Sequence, residues 1–405
     1  MIEIEQALAA IYQRTEPRQA ERLPLSQAVG RVLAEDILSD IDSPPYDKAL
    51  IDGYAVLATD LRGGRGNFMV IDEVRAGDIP CEPLQSGMAT RVMAGASVPR
   101  GADTVVPADR ARMDDADGLP LVHLEEPQVR PGQHILPRGA SLHRGQTVLA
   151  QGHRLAAIEI GILAEVGRLE VLVHPQPRLS VLAVGDQLVS AADYPGVGQS
   201  RNSTGPMLGA LIQAAGGQAV DRGIALDTEP ELTRQINQGF QEDALILCGS
   251  VTSDATDRVP RVLRDLGVER VFQGVRVSPG RTFWLGALGH ARGRRFVFGV
   301  PDNPVSALVC FHLFVRPAIT ALAGYPVDEP ARIQAQLADE YHQTGEHPSY
   351  HPVRLENQRG KTVVRLLDAR GMPDLKTLAR ASGLAVFPAG QQDFAPGQTV
   401  SVMCF

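Results

Sequence analysis

Residues 299–311 read GVPDNPVSALVCF, and this stretch decides the fold. An aromatic and β-branched run, RRFVFGV (294–300), leads into Pro301 and Pro304 and then straight into a long apolar segment. Pro304 falls where a first helical turn begins, the position that tolerates a missing N–H and a fixed φ. Asn303, just before it, is a favoured N-cap residue type. The pattern predicts a strand, a rigid turn and a helix from Asn303 to about Leu322. Such a turn aims free helix-start N–H groups beyond the strand end, where an anion, most often phosphate, is favoured. A strand–helix connection with no guest fits the same residues.

Outward from this turn, residues 175 to about 325 alternate strand and helix patterns. Pro175 and Pro177 open the region, followed by the apolar run RLSVLAV (178–184). Helical spacing is read over 203–215, 229–240 and 257–267, the last beginning near Pro260. Strand patterns fall at 218–226 and 243–249. Strands alternating with helices of this length predict a mostly parallel sheet covered on both faces, an αβα layer. Ligands of such sheets bind beyond the carboxyl ends of the strands. The loops 184–188, 225–228, 248–254 and 300–304 lie at those ends and are expected to converge. Trp284, in TFWLG, is read as a packed strand residue.

The flanks read differently. MIEIEQALAAIYQ has an amphipathic helical pattern without the basic and apolar regions of a secretory signal. Gly- and Pro-rich turns punctuate short strands between about 67 and 150, and 153–167 is apolar and helical. The last 75 or so residues carry short strands with turn signals, a compact β-barrel pattern. The domain division expected is 1–45 with 145–175 as a linker and dimerisation region, 46–144 as an inserted β-rich module, 176–327 as the αβα domain and 328–405 as the barrel.

The chain has 405 residues, 44% hydrophobic and 21% charged, an ordinary globular composition for several domains. No apolar run approaches a membrane span. A formal charge of −8 gives no general attraction to nucleic acid. Cys81, Cys248, Cys310 and Cys404 are scattered without C-x-x-C spacing, which argues against a disulfide framework or zinc site and for a reducing, cytoplasmic setting. His342, His347 and His351 match no zinc spacing.

In order along the chain, PPYDKALIDGYAV, RVMAGASVPRGADTVV, VGDQLV, GQSRNSTGPML, CGSVTSDATD, VSPGRTFWLG, VPDNPVSALVCF and LARASGLAVFP resemble the MoeA family, the molybdopterin molybdotransferases related to the gephyrin E-domain. The likeness spans nearly the whole chain. It implies insertion of molybdenum from molybdate into adenylylated molybdopterin with release of AMP, assisted by Mg²⁺. It further implies a homodimer whose site is shared between chains, with handover to molybdoenzymes or to the adenylylating partner protein.

Carried onto this chain, the resemblance makes Asp52, Asp257 and Asp186 the catalytic carboxylates, with Asp52 and Asp257 as metal ligands. Gly185, Gln187, Gly249, Ser250, Thr252, Ser253, Arg281, Pro301, Asn303 and Pro304 become pterin-binding candidates. Hard oxygen ligands suit Mg²⁺ at a phosphoanhydride, and Gly53 permits close approach to Asp52. An Asp-Gly turn at 52–53 and a helix cap at Asp257 fit the same residues. Asp227 reads either as a weaker site candidate or as a cap for the helix that follows.

Of Arg201, Arg276, Arg281 and Arg354, Arg281 stands in place of a family lysine and adds bidentate phosphate geometry. Arg201 and Arg354 are read as surface residues. Departures fall at Ala49, Ala94, Ala140, Ser141, Gln187, Asp254 and Asp302, where hydroxyls or carboxylates are lost or negative charge is gained. They keep open an alternative, a redirected paralogue that binds molybdopterin or a partner protein as carrier, scaffold or regulator.

Overall fold

The structure, a computed structural model, describes all residues except 117–118, 250–257, 291–292, 327–331, 359 and 368–374. The chain divides into two compact units, one of residues 1–34, 152–156 and 171–405, the other of residues 35–151 and 157–170.

The first unit is built on a six-stranded sheet. Its strands are β1 (Arg178–Val184), β2 (Gln218–Ala225), β3 (Ala244–Gly249), β4 (Glu269–Gln273), β5 (Trp284–His290) and β6 (Gly293–Val300), in the order β2-β1-β3-β6-β5-β4. The four strands from β2 to β6 pair in parallel. β5 and β4 then close that edge antiparallel, two strands that the alternating pattern did not separate.

The helices are α1 (Thr204–Ala214), α2 (Glu229–Gly239), α3 (Arg258–Asp265), α4 (Pro304–Cys310) and α5 (Arg316–Leu322). A π-helical turn, Phe311–Val315, joins α4 to α5, so residues 304–322 form one continuous helical rod. This rod is apolar and long enough to cross a bilayer, yet it is mostly buried, as a core helix is.

Alternation along each strand sorts the two faces. Leu179, Val181, Ala183, Ile246, Phe296 and Phe298 pack under α1, the rod and the N-terminal helix Ile4–Tyr12. Leu182, Val184, Leu245, Leu247 and Val297 pack under α2 and α3 through Leu232, Ile236, Val259 and Val262. Trp284 belongs to this second core and is 4% exposed, the packed strand residue its context predicts. The sequence reading of a covered, mostly parallel sheet therefore holds.

The C-terminal part of the same unit is a closed five-stranded barrel, in the order Arg332–Leu337, Lys361–Leu366, Ser349–Gln358, Gly383–Phe387 and Thr399–Cys404. Its interior is filled by Val353, Val364, Phe387, Phe394 and Val402. His342 there pairs with Asp393 at 2.7 Å and His351 Nε2 donates to the Leu367 carbonyl, 3.1 Å away. Among the described residues no group of three or more His, Cys, Asp or Glu is placed to hold a metal ion.

The second unit centres on another six-stranded sheet, with Gly53–Val56 paired between Met88–Val92 and Thr104–Pro107. A Cβ at Gly53 would overlap the Val106 carbonyl oxygen, so this position needs glycine for close strand approach rather than for a turn. The apolar stretch expected to be helical from 153 forms its helix over Ala157–Glu165.

Candidate functional site

At the carboxyl edge of the first unit's sheet lies a cleft of about 520 Å³. It is lined by the loop after β1 (Gln187, Leu188), the segment Ser200–Thr204, Cys248 of β3, the turn Asp302–Pro304 and Leu375. Two helices, α1 and α4, begin on this wall.

The α4 turn is built as its sequence predicts. The Asn303 side-chain oxygen accepts from Val305 N at 3.0 Å and Ser306 N at 3.1 Å, and Pro304 takes the first helical position. Pro304 has no N–H, so the donors of Val305 and Ser306 are both taken by this cap and the amide of Asn303 is left at the start of the turn. α1 is started the same way, by Asn202, whose side chain accepts from Gly205 N at 3.0 Å. Thr204 Oγ donates to the Asp302 carbonyl at 2.6 Å and ties the two helix starts together.

β3 ends at Gly249, which adopts φ +129 with its Cα against the Val184 carbonyl; a Cβ would overlap that oxygen. Gly185 donates to the Ala225 carbonyl at 3.2 Å, and Gln187 packs its amide beside Gly185. Cys248 reaches the cleft wall but is 2% exposed. Burial, with Asp302 a lesser cause, pushes its thiol up to about 12. A thiol held that high is no thiolate nucleophile at neutral pH.

The carboxylates at this edge act first on one another's loops. Asp186 accepts from Asp227 N at 2.9 Å. Asp227 accepts from Arg258 at 3.2 Å, and its carbonyl takes a second bond from the same guanidinium at 2.8 Å. The cap expected of Asp227 is not made: Thr228 occupies the N-cap position of α2, and Asp227 instead fastens the start of α3 to the loop after β2. Its other oxygen is buried with no partner among the described residues.

Arg281 is exposed, and the β5–β6 register sets Trp284 opposite Gly299, which brings the loop of Arg281 to the same edge of the sheet. A Cβ at neighbouring Gly280 would run into Cys310 Sγ, so this loop lies tight on α4. Arg276 is taken by Glu3 at 2.7 Å. Arg201, read from sequence as a surface residue, lines the cleft; its Nε donates to the Asp193 carbonyl at 3.0 Å and it lies 5.9 Å from the Tyr194 ring. Ser250, Thr252, Ser253, Asp254 and Asp257 lie outside the described residues.

In the second unit, exposed Asp52 precedes Gly53. Its Oδ1 accepts from Ala94 N at 2.7 Å and its carbonyl from Ala108 N at 3.0 Å, leaving Oδ2 without a partner among the described residues. The contact from position 94 is a backbone one and so survives the loss of a threonine hydroxyl. Ala49 is buried between two such bonds, to Ala96 and from Gly95, where a larger polar side chain has no room to spare. Ser141 N donates to the Ser43 carbonyl at 2.9 Å.

Sequence reasoning passed over Asn202, Ser203, Thr204 and Leu375 as cleft residues. The signal for the first three was in the stretch RNSTGP, an Asn-Ser-Thr run before a helix, which is a capping pattern like that at Asn303.

A mostly parallel sheet covered on both faces, with two capped helix starts on its carboxyl edge, defines an αβα-layered protein with a cleft where such folds bind ligands. Three family models fit consecutive parts of the chain: the MoeA N-terminal region (domain I and II) over residues 2–167, a probable molybdopterin binding domain over 180–321 and the MoeA C-terminal region (domain IV) over 334–405. The chain belongs to the MoeA family. It is 27% identical to a molybdopterin molybdenumtransferase of Staphylococcus epidermidis and 28% identical to one of Staphylococcus aureus, each over 99% of this chain and 95% of the relative. Two crystal structures of the molybdopterin biosynthesis MoeA protein of Pyrococcus horikoshii superpose with TM-scores of 0.83 and 0.85 at 26% and 25% identity, the first covering 100% of this chain and 99% of that one, the second 100% of both.

Proposed function

We propose that this protein catalyses the molybdenum insertion step of cofactor assembly: it binds adenylylated molybdopterin, accepts molybdate and releases AMP. The observation that carries this is the cleft at the carboxyl edge, where two capped helix starts face a space with room for a pterin phosphate. The full-length likeness to molybdenumtransferases supports the enzyme over a carrier or scaffold role. In this reading the N–H groups of Asn303 and Thr204, which precede the amides taken by the caps, hold the anionic substrate, and Arg281 adds a bidentate partner for a phosphate. Gln187 and Asp186 line the approach from β1. Ser250, Thr252 and Ser253 are proposed to bind the same substrate, as the resemblance implies.

Asp52, with one oxygen free, and Asp257 would hold Mg²⁺. The donor set fits, since Mg²⁺ takes one or two carboxylates and fills the rest of its shell from substrate phosphates and water. When bound, Mg²⁺ neutralises charge on the phosphoanhydride as it is cleaved. The chain's own part is to hold the Asp52 carboxylate still, through the Ala94 amide. We further propose a cytoplasmic homodimer in which the unit carrying Asp52 completes the partner's site, with the domain division set out above, and handover of the product to molybdoenzymes.

The test is release of AMP from adenylylated molybdopterin when molybdate is added with Mg²⁺. Molybdate-dependent release supports the transferase. Tight binding of the pterin without release means a carrier, and the alternative then stands.

A further inference from the structure

A second cavity, larger than the cleft just described, lies elsewhere in the same unit. It lies at the opposite, amino edge of the same sheet and holds about 1140 Å³. One wall is formed by the strand starts, with Arg178 of β1 and Arg294 and Arg295 of β6, together with Glu242 and Asp243 before β3. The other is the connection after the N-terminal helix, carrying Arg14 and Arg18 with Glu16 and Glu21.

The charges on the strand wall do not balance. Asp243 is 5% exposed and takes both Arg18, at 3.1 Å, and Arg295, at 3.4 Å. Glu242 takes both Arg178, at 2.7 Å, and Arg222, at 3.4 Å. Its hydrogen bond to Arg178 holds the Glu242 carboxyl below its usual range, and the same contact raises Arg178, so both stay charged. Four guanidinium groups thus share two well-covered carboxylates, with Arg178 and Arg18 partly open to solvent. Arg294 adds a further cation that no described carboxylate pairs with. Arg295 is 7% exposed, and its Nε–H has no acceptor among the described residues. A buried guanidinium donor left open costs about 1–3 kcal/mol or more, and surplus positive charge away from bulk water attracts an oxyanion strongly.

We propose that this amino-edge cleft is a second anion site that binds a phosphate or phosphate ester, separate from the pterin cleft. The surplus of the strand wall supplies the attraction, and the exposed guanidinium of Arg294 supplies paired donors that match a phosphate. On the facing segment Arg14 adds to the attraction, while Glu16 and Glu21 restrict where along that segment the anion sits. The rod from Pro304 to Leu322 begins at the pterin cleft and ends at this one, which both residues line.

The test is calorimetric titration of the full chain with inorganic pyrophosphate, in a Ser203→Trp background that fills the pterin cleft. The expected result is one binding event, weakened at least tenfold by Arg294→Glu and also by Arg14→Glu, each with an unchanged melting temperature. Arg294 is exposed and Arg14 bonds only the Ala10 carbonyl among described partners, so neither variant threatens the core. Absence of pyrophosphate binding in the Ser203→Trp protein, or binding that both charge reversals leave unchanged, overturns the site.

Discussion

The two edges of the central sheet solve opposite problems with different materials. At the carboxyl edge side chains take up most of the helix-start amides, and the charged groups Asp186, Asp227 and Arg258 bind one another's loops. Its helix starts are ordered by neutral hydrogen bonds, Asn303 to the first turn of α4, Asn202 to α1 and Thr204 to the Asp302 carbonyl. The amino edge is held by a crowded network of arginines on Glu242 and Asp243. At the amino edge the carboxylates of Glu242 and Asp243 are satisfied internally, while Arg14 and Arg294 stand outside that network. Damage to the Glu242 and Asp243 network should therefore appear as lost stability, and damage at the carboxyl edge as lost pterin binding.

The largest expected effect breaks the amino edge. Asp243→Ala leaves Arg18 and Arg295 without their shared carboxylate and the Arg178 amide without its acceptor. Removing one partner of a buried ion cluster costs about 3–5 kcal/mol. Denaturant unfolding should show a loss of that size, with pterin affinity of the folded protein unchanged; a loss under 1 kcal/mol would mean the network is ornamental.

The rod that joins the two edges gives the next effect. His312 sits in its π-helical turn, 4% exposed, with neither ring nitrogen bonded among the described residues, and it stacks on Phe405 at 4.8 Å. Burial, with Arg316 secondary, brings its pKa down from 6.5 to about 4. The folded chain thus keeps His312 neutral while the unfolded chain takes up a proton. Stability from this group is complete above pH 6.5 and is lost as pH falls toward 4, by about 3 kcal/mol in all. His312→Leu should flatten the stability profile across that window. An unchanged profile would show that the ring is hydrated in solution.

The smallest effect sharpens the carboxyl edge. Asn303→Ala removes the cap of α4, worth about 1 kcal/mol of stability. Because the same turn aims the anion-binding amides, molybdopterin affinity should fall with it. A stability loss without an affinity loss would move the pterin away from this turn.

The strand-turn-helix at 294–311 was legible because proline, asparagine and apolar spacing each restrict the backbone in the same place, and all point to one structure. The covered sheet followed from continuous apolar runs such as RLSVLAV. Arg201 is exposed, as its context predicts, but nothing in GQSRNS tells that its guanidinium also lies on a cleft wall. Asp227 looked like a cap because it precedes a helix start, and only the fold brings Arg258 to it. The amino-edge network was invisible for the same reason, its members being drawn from residues 18, 178, 222, 242, 243 and 295.

The central claim is that the carboxyl edge, not the larger amino-edge cavity, holds the pterin. The direct measurement is calorimetric titration of molybdopterin into the wild-type chain, Ser203→Trp and Arg294→Glu. Ser203 is exposed on the cleft wall and its side chain makes no cap bond, so tryptophan there fills space without removing a support. The account predicts that Ser203→Trp abolishes binding while Arg294→Glu leaves it intact. Binding that survives Ser203→Trp and is lost in Arg294→Glu would contradict it.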